Sequence, residues 1–289
     1  MIDFLADIFG YVLNFIYELV KNYGLAIILF SILLKLLMLP LTIKQQKTMK
    51  KTAKIQEETK EIQNKYKDNQ EKMNQEIMDL YKRENMSPFS GCLSAILQIV
   101  LLFSIFYLVR SPLTHMVKIE PQIIEDSINA IKEDSDNKRN ASYPEIAVIK
   151  DAREKLTNEE CSEEDKEKYE KMAINMDFLG LDLSNVPTQD MSNPTVFIIP
   201  VLYVISSFIS IRISNNTGNK KENKTQENGE DPMASANKSM LWFMPIMSIS
   251  IAIIAPLGLA LYWLVNNLLI IVERLVIMKF FNKDEKEEA

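Results

Sequence analysis

Apolar and polar residues are segregated along this chain. Charge-free runs alternate with runs dense in Lys, Asp and Glu, the pattern of spans in hydrocarbon joined by loops in water. A helix needs ~20 apolar residues to cross a bilayer core ~30 Å thick. Residues 23–43, 91–110 and 193–212 meet or approach that length. A further stretch, 240–278, would make a helix about 58 Å long at ~1.5 Å per residue, too long for one crossing. It contains "APLGLA" (Ala255–Ala260), where Pro256 and Gly258 are turn signals. We therefore read it as two spans, 239–255 and 258–278, joined by a tight hairpin. The pattern predicts an all-α membrane protein with five transmembrane helices.

Residues 1–22 carry a different pattern. Asp3, Asp7, Gly10, Asn14, Glu18 and Lys21 recur every three or four residues, and most other positions are Ile, Leu, Phe, Tyr or Val. One polar stripe on an otherwise apolar helix predicts an amphipathic helix lying in the membrane interface. Two aspartates and a glutamate argue against a sixth span. The stretch lacks a basic start followed by a short apolar core and a small-residue cleavage site, so no signal peptide is expected in it.

Between the spans, 44–90 is polar with two thin apolar seams. Ile55, Thr59, Ile62 and Tyr66 form one; Met73, Ile77, Leu80 and Tyr81 form the other, with "KDNQ" (Lys67–Gln70) as a turn. This predicts a helical hairpin. Residues 111–192 form an acidic region; from 118 to 190 there are 10 Lys or Arg against 19 Asp or Glu. Its "NEECSEEDKEKYEK" (Asn158–Lys171) reads as a solvated helix or a mobile segment. Residues 213–238, rich in Asn, Lys, Gly and Glu, read as a flexible linker, and 279–289 as a tail.

Charge sets the orientation. Basic residues gather on the cytoplasmic side of short loops. With the N-terminus outside and the C-terminus in the cytoplasm, "IKQQKTMKKTAK" lies just inside the first span, whereas only Lys21 precedes it. The hairpin, the linker and the tail are then cytoplasmic, and 111–192 is extracytoplasmic.

Composition excludes most catalytic chemistry. The chain has seven glycines, two cysteines and one histidine, His115. Cys92 and Cys161 fall on opposite sides of the membrane and have no metal-ligand spacing. No phosphate-binding glycine loop, Ser/His/Asp set or HExxH is present. We expect no enzyme, no metal and no cofactor.

The remaining chemistry lies in polar groups at membrane depth. Lys35 sits about 16 Å along a helix from Gly24 and about 13 Å from Lys44, beyond the few ångströms a lysine stem can snorkel. A lysine placed there costs ~3 kcal/mol or more, so it marks a functional site unless it reaches the inner membrane surface. Ser31 lies one turn earlier. Gln98 interrupts the second span, Ser206, Ser207 and Ser210 the third, and Tyr262, Trp263, Asn266 and Asn267 occupy the fifth. For the serines, hydrogen bonding between packed helices is the favoured role. No carboxylate lies within the apolar runs beside Lys35; Glu273 is near the inner end of the fifth span.

Four segments resemble the YidC/Oxa-type membrane protein insertases, in a short Gram-positive-like form. They are "SILLKLLMLPLTIKQQKTMKKTAKIQ", "DLYKRENMSPFSGCLSAILQIVLLFSIFYLV", "FLGLDLS" (Phe178–Ser184) and "MPIMSISIAIIAPLGLALYWLVNNLLIIVE" (Met244–Glu273). They occur in family order and cover all five spans and the hairpin, leaving 118–177 unmatched. The resemblance implies five helices around a hydrophilic groove open to the cytoplasm and lipid. Lys35 takes the place of the groove cation, Ser31 of the small hydroxyl, Gln98 of the groove glutamine, and Tyr262 and Trp263 of an aromatic pair; Asn266 is placed with them. It implies a non-enzymatic insertase and chaperone of a bacterial plasma membrane. Nascent membrane proteins leave their hydrophilic tails in the groove, and their spans pass into lipid, alone or beside the Sec translocon.

The chain departs from the family in three ways. The usual groove cation is Arg, which stays charged at any cellular pH, whereas a desolvated Lys can lose its proton. Ribosome docking in some relatives uses a long basic tail, whereas "KFFNKDEKEEA" ends acidic. The outer insert is also longer than relatives without a large outer domain would suggest. No nucleic-acid binding of its own is expected. An alternative class is a small channel or transporter with Lys35 as an anion site. It would need access from both sides and usually internal repeats, which the sequence lacks.

Overall fold

The computed structural model describes residues 2–87, 90–133, 142–157, 162–217 and 250–287. The described residues are mostly helical. In chain order they form α1 (Ile2–Val20), α2 (Tyr23–Lys65), α3 (Gln70–Arg83) and α4 (Ser90–Arg110), then a π-helical turn (Leu113–Val117). There follow α5 (Pro121–Glu133), α6 (Pro144–Thr157), α7 (Glu163–Met172) and a hairpin of β1 (Asp177–Phe178) and β2 (Leu181–Asp182). A 3-10 turn (Pro194–Phe197), α8 (Ile198–Thr217) and α9 (Leu257–Glu287) complete the set. Residues 250–254 are also helical.

Three described helical stretches are long and apolar enough to cross a membrane: Tyr23–Thr48, Pro194–Ile213 and Leu257–Val276. They correspond to the expected first, third and fifth spans. The expected second span falls on α4, whose described apolar part, Ile96–Arg110, is shorter. Most of the expected fourth span, 239–255, lies outside the described residues, as does nearly all of the linker 213–238, although α8 runs on to Thr217.

The chain divides into two compact units. One comprises Met1–Leu5 and Leu33–Ile105, the other Ala6–Ile32 and Phe106–Ala289. The first holds the helical hairpin. Here the sequence boundary dissolves: α2 continues for 43 residues through Pro40, from the apolar run into the polar arm. A helix satisfies its backbone hydrogen bonds internally, so it can leave lipid for water without a break. The expected turn is present: Asn69 caps α3, its Oδ1 accepting from Lys72 N–H at 3.0 Å. Ile55 and Leu80 are buried along the seam, and Arg83 pairs with Glu58 at 2.8 Å across the two arms.

In the second unit α1 has three faces. Ala6, Gly10, Leu13 and Ile16 are buried, the polar stripe runs beside them, and Phe4, Ile8, Tyr11, Phe15 and Leu19 are exposed at helical spacing. Asn22 starts α2, its Oδ1 accepting from Leu25 N–H at 3.0 Å. Helices α8 and α9 pack together along their length. The far side of α8 exposes Ile198, Val201, Leu202, Ile205, Phe208 and Ile209, an apolar face that suits contact with lipid.

The acidic region is more ordered than its charge suggests. Met116, Ile149, Ala152, Met172, Met176 and Leu183 are fully buried, and α5, α6 and α7 pack in sequence. Within "NEECSEEDKEKYEK", residues 163–171 belong to α7, capped by Ser162, whose side chain accepts from Asp165 N–H at 3.2 Å. Residues 158–161 lie outside the described residues.

Candidate functional site

The site residues named from the sequence divide between the two units. Lys35 and Gln98 belong to the first; Ser31, Tyr262, Trp263 and Asn266 belong to the second. Lys35 is half-buried on α2, on a stretch where Leu33, Leu36 and Leu37 are exposed. Gln98 is exposed on α4. Ser31 is buried, and its Oγ donates to the Ile27 carbonyl at 2.7 Å, which satisfies the hydroxyl within its own helix.

On α9, Tyr262 is buried and Trp263 and Asn266 are half-buried. The Trp263 ring lies against Tyr203 of α8, centroids 5.9 Å apart and planes tilted by 38°. One residue on, Asn267 Nδ2 donates to Ser207 Oγ at 2.7 Å and reaches Ser206 Oγ at 3.3 Å. Two turns further, Arg274 Nη1 donates to the Ser210 carbonyl at 3.2 Å. The serines of the third span thus face α9 as packing contacts. Asn267, next to Asn266, makes these cross-helix bonds. A spacing of seven between Asn267 and Arg274, against serines three and four apart, was the signal for this ladder.

Two further clusters join the ends of the helices, and sequence reading named neither. In the first, Asp7 of α1 meets the π-helical turn. His115 Nδ1 lies 2.9 Å from Asp7 Oδ1, and Lys118 pairs with the same oxygen. Lys118 Nζ also sits 5.0 Å from the centroid of the Tyr11 ring. The hydrogen bond from Lys118, then that from His115, holds the Asp7 carboxyl below the ordinary carboxylate range. Beside them Glu145 is buried and accepts from Thr114 N–H at 3.0 Å and Thr114 Oγ1 at 2.6 Å.

The second cluster is a strap, residues 174–188, that includes the β-hairpin. Asn175 N–H donates to the Tyr17 phenol oxygen at 2.9 Å, and Tyr23 N–H donates to the Asn175 carbonyl at 2.9 Å. Asn22 Nδ2 donates to the Asp177 carbonyl at 2.6 Å. Gly24 has no room for a side chain, since a Cβ there would lie 2.4 Å from the Phe178 ring. Further along, Gly258 N–H donates to the Leu183 carbonyl at 3.0 Å and Leu257 N–H to the Asn185 carbonyl at 2.9 Å. The strap therefore joins the start of α2 to the start of α9. Arg153 of α6 fastens it with bonds to Asp177 Oδ2 at 2.6 Å and Asp182 Oδ1 at 3.2 Å. Burial opposes the charge on Arg153, but Asp182 and Asp177 outweigh it and raise its pKa.

Comparison with known proteins places these features in a family. A model of the family described as 60Kd inner membrane protein matches residues 15–285. The chain is 26% identical over 287 residues to the protein named membrane protein insertase YidC from Francisella tularensis subsp. novicida (strain U112). The same holds for the protein of that name from Francisella tularensis subsp. tularensis (strain WY96-3418). Each match takes in 99% of this chain and 38% of the relative, so the chain spans well under half the length of these relatives.

Proposed function

The chain belongs to the 60Kd inner membrane protein family, the YidC/Oxa1 family, and from that we propose that it is a membrane protein insertase and chaperone. The family match over residues 15–285 carries this reading. It works without catalysis or cofactor, in a bacterial plasma membrane, with the N-terminus outside and the C-terminus in the cytoplasm. Its partners are nascent membrane proteins and the surrounding lipid, and it acts alone or beside the Sec translocon. The ribosome is a further candidate partner.

The physics of the task assigns roles to named residues. Moving a hydrophilic tail across hydrocarbon is opposed mainly by desolvation of its polar and charged groups. A wetted groove shortens the dry path, and Lys35 on α2 is the cation we assign to it. Lys35 attracts acidic residues on the tail through a Coulomb interaction stronger than in bulk water. The exposed apolar faces of α8 and α9 offer the new span a surface continuous with lipid. Partition of that span then supplies the drive, at ~25 cal/mol per Å² of apolar surface removed from water. The interfacial α1 anchors the outer side, and the hairpin of α2 and α3 admits substrate from the cytoplasm.

Depletion of the insertase in a bacterial host, with expression of this chain, tests the reading. Insertion of a small single-span protein with an acidic outer tail should recover; failure of the wild-type chain to restore it, when present in the membrane, overturns the proposal. In the same assay Lys35→Ala should lower insertion of acidic-tailed substrates at least several-fold more than that of neutral-tailed ones. Equal losses would remove the electrostatic role of Lys35.

A further inference from the structure

The tip of the β-hairpin is built against local preference. Phe178 pairs with Leu181 and Asp177 with Asp182, leaving a two-residue turn of Leu179 and Gly180. Both have positive φ, 50° and 79°. Such turns favour Gly, Asn and Asp, because a larger L-residue clashes with its own backbone there. Leu179 nevertheless occupies the first position, and it is 87% exposed. It gains little packing among the described residues for the strain it accepts.

The hairpin's surroundings say what covers this side chain. Phe178, the residue before it, packs on Gly24, in the first turn of the Tyr23–Thr48 stretch that is apolar enough to cross a membrane. The adjacent Cα of Leu179 is only ~3.8 Å from that of Phe178. Asn175 is bonded to Tyr17 and Lys21 at the end of α1, next to the exposed Phe15 and Leu19. Leu25 and Leu29, which follow Gly24 on α2, are exposed. The tip is therefore fixed where an apolar helix face and the start of a membrane-spanning helix meet. Arg153 and the Asn22 and Asn175 bonds hold it rigidly, which suits a fixed anchor.

We propose that the Leu179–Gly180 tip inserts into the outer leaflet, as a lipid anchor beside the point where α2 enters the membrane. It sets the height of the folded acidic region above the bilayer. This inference rests on the reading of α2 as a membrane span. It goes beyond the insertion reaction, because the occupant is the bilayer lipid itself and not a substrate.

The test uses the full chain with Cys92→Ser and Cys161→Ser, reconstituted into phosphatidylcholine–phosphatidylglycerol vesicles. A single cysteine carrying an environment-sensitive fluorophore is placed by Leu179→Cys, Leu29→Cys or Glu61→Cys, and quenching by lipid doxyl-labelled near the headgroup is measured. Leu179 is fully outside the packed core, so the substitution leaves the fold intact. Leu179 should be quenched at least several-fold more than Glu61, which lies on the polar arm of α2 and also controls for the dye's own affinity for lipid. Quenching at Leu29 with Leu179 at the Glu61 level overturns the anchor while sparing the span. Absence of quenching at both Leu29 and Leu179 overturns the anchor and the span together. Protection of Leu179 from an aqueous quencher in native membranes, without quenching in the vesicles, assigns the tip to a protein partner and also overturns the lipid anchor.

Discussion

Gly10 shows how much one missing methyl can decide. A Cβ on it would lie 1.9 Å from the His115 carbonyl oxygen, so α1 rests directly on the π-helical turn. Gly10→Ala should cost about 1–3 kcal/mol through overpacking, measured as a lower unfolding temperature of the purified protein in detergent. The sequence placed Gly10 in a polar stripe with Asp7, which is correct as periodicity. The contact itself was not legible, because its partner lies far along the chain and has no local signature. Asp7 gives a pH signature at the same place. Its folded pKa is depressed, so it adds stability above the unfolded value near ~3.9 that is lost as pH falls through the lower folded value. The gap in unfolding temperature between wild type and Asp7→Asn should close as pH falls below the unfolded value and through the lower folded one. The carboxyl is partly exposed, so the gap should be modest.

At the scale of elements, the helical hairpin and the α8–α9 pair separate interactions that decide from those that decorate. Arg83→Ala breaks only surface ion pairs, with Glu58 and Glu84, and should change stability by less than ~1 kcal/mol. Leu80→Ala removes a buried side chain from the seam and should cost ~2–5 kcal/mol. Thermal unfolding of the two variants distinguishes them directly. In the α8–α9 pair, Asn267→Ala removes both serine contacts and should cost ~0.6–2 kcal/mol, the usual range for hydrogen bonds between membrane helices. The hairpin turn and its seam were legible because capping chemistry and 3.6-residue periodicity are local. The continuity of α2 was not. The change from apolar to charged residues near Lys44 marks where the solvent changes, and it looked like the end of an element only because composition and backbone usually change together. Lys35 was visible as a charge in an apolar run. Its half-buried setting, and the exposed position of Gln98, depend on tertiary packing that no spacing encodes.

For the whole molecule, the acidic region is where sequence and structure part most. Its charge implied solvation, yet α5, α6, α7 and the strap bury Ile149, Met172, Met176 and Leu183. These apolar residues are scattered among charges, so no window shows a core, although together they make one. Arg153→Ala should loosen the strap without unfolding the spans. Amide hydrogen exchange across 175–188 should speed up several-fold, with exchange in α8 unchanged. The strap also imposes an order on the chain's own manufacture. Synthesis runs from the N-terminus, so the contacts of Asn175 with Tyr17 and Tyr23 become available early. The carbonyls of Leu183 and Asn185 must wait for the amides of Gly258 and Leu257. Closing so long a loop carries an entropy cost that the packing of α9 must repay. Until then those two carbonyls rely on water. The joint between the first and last described spans thus forms late, and a ribosome stalled before residue 257 would leave it open.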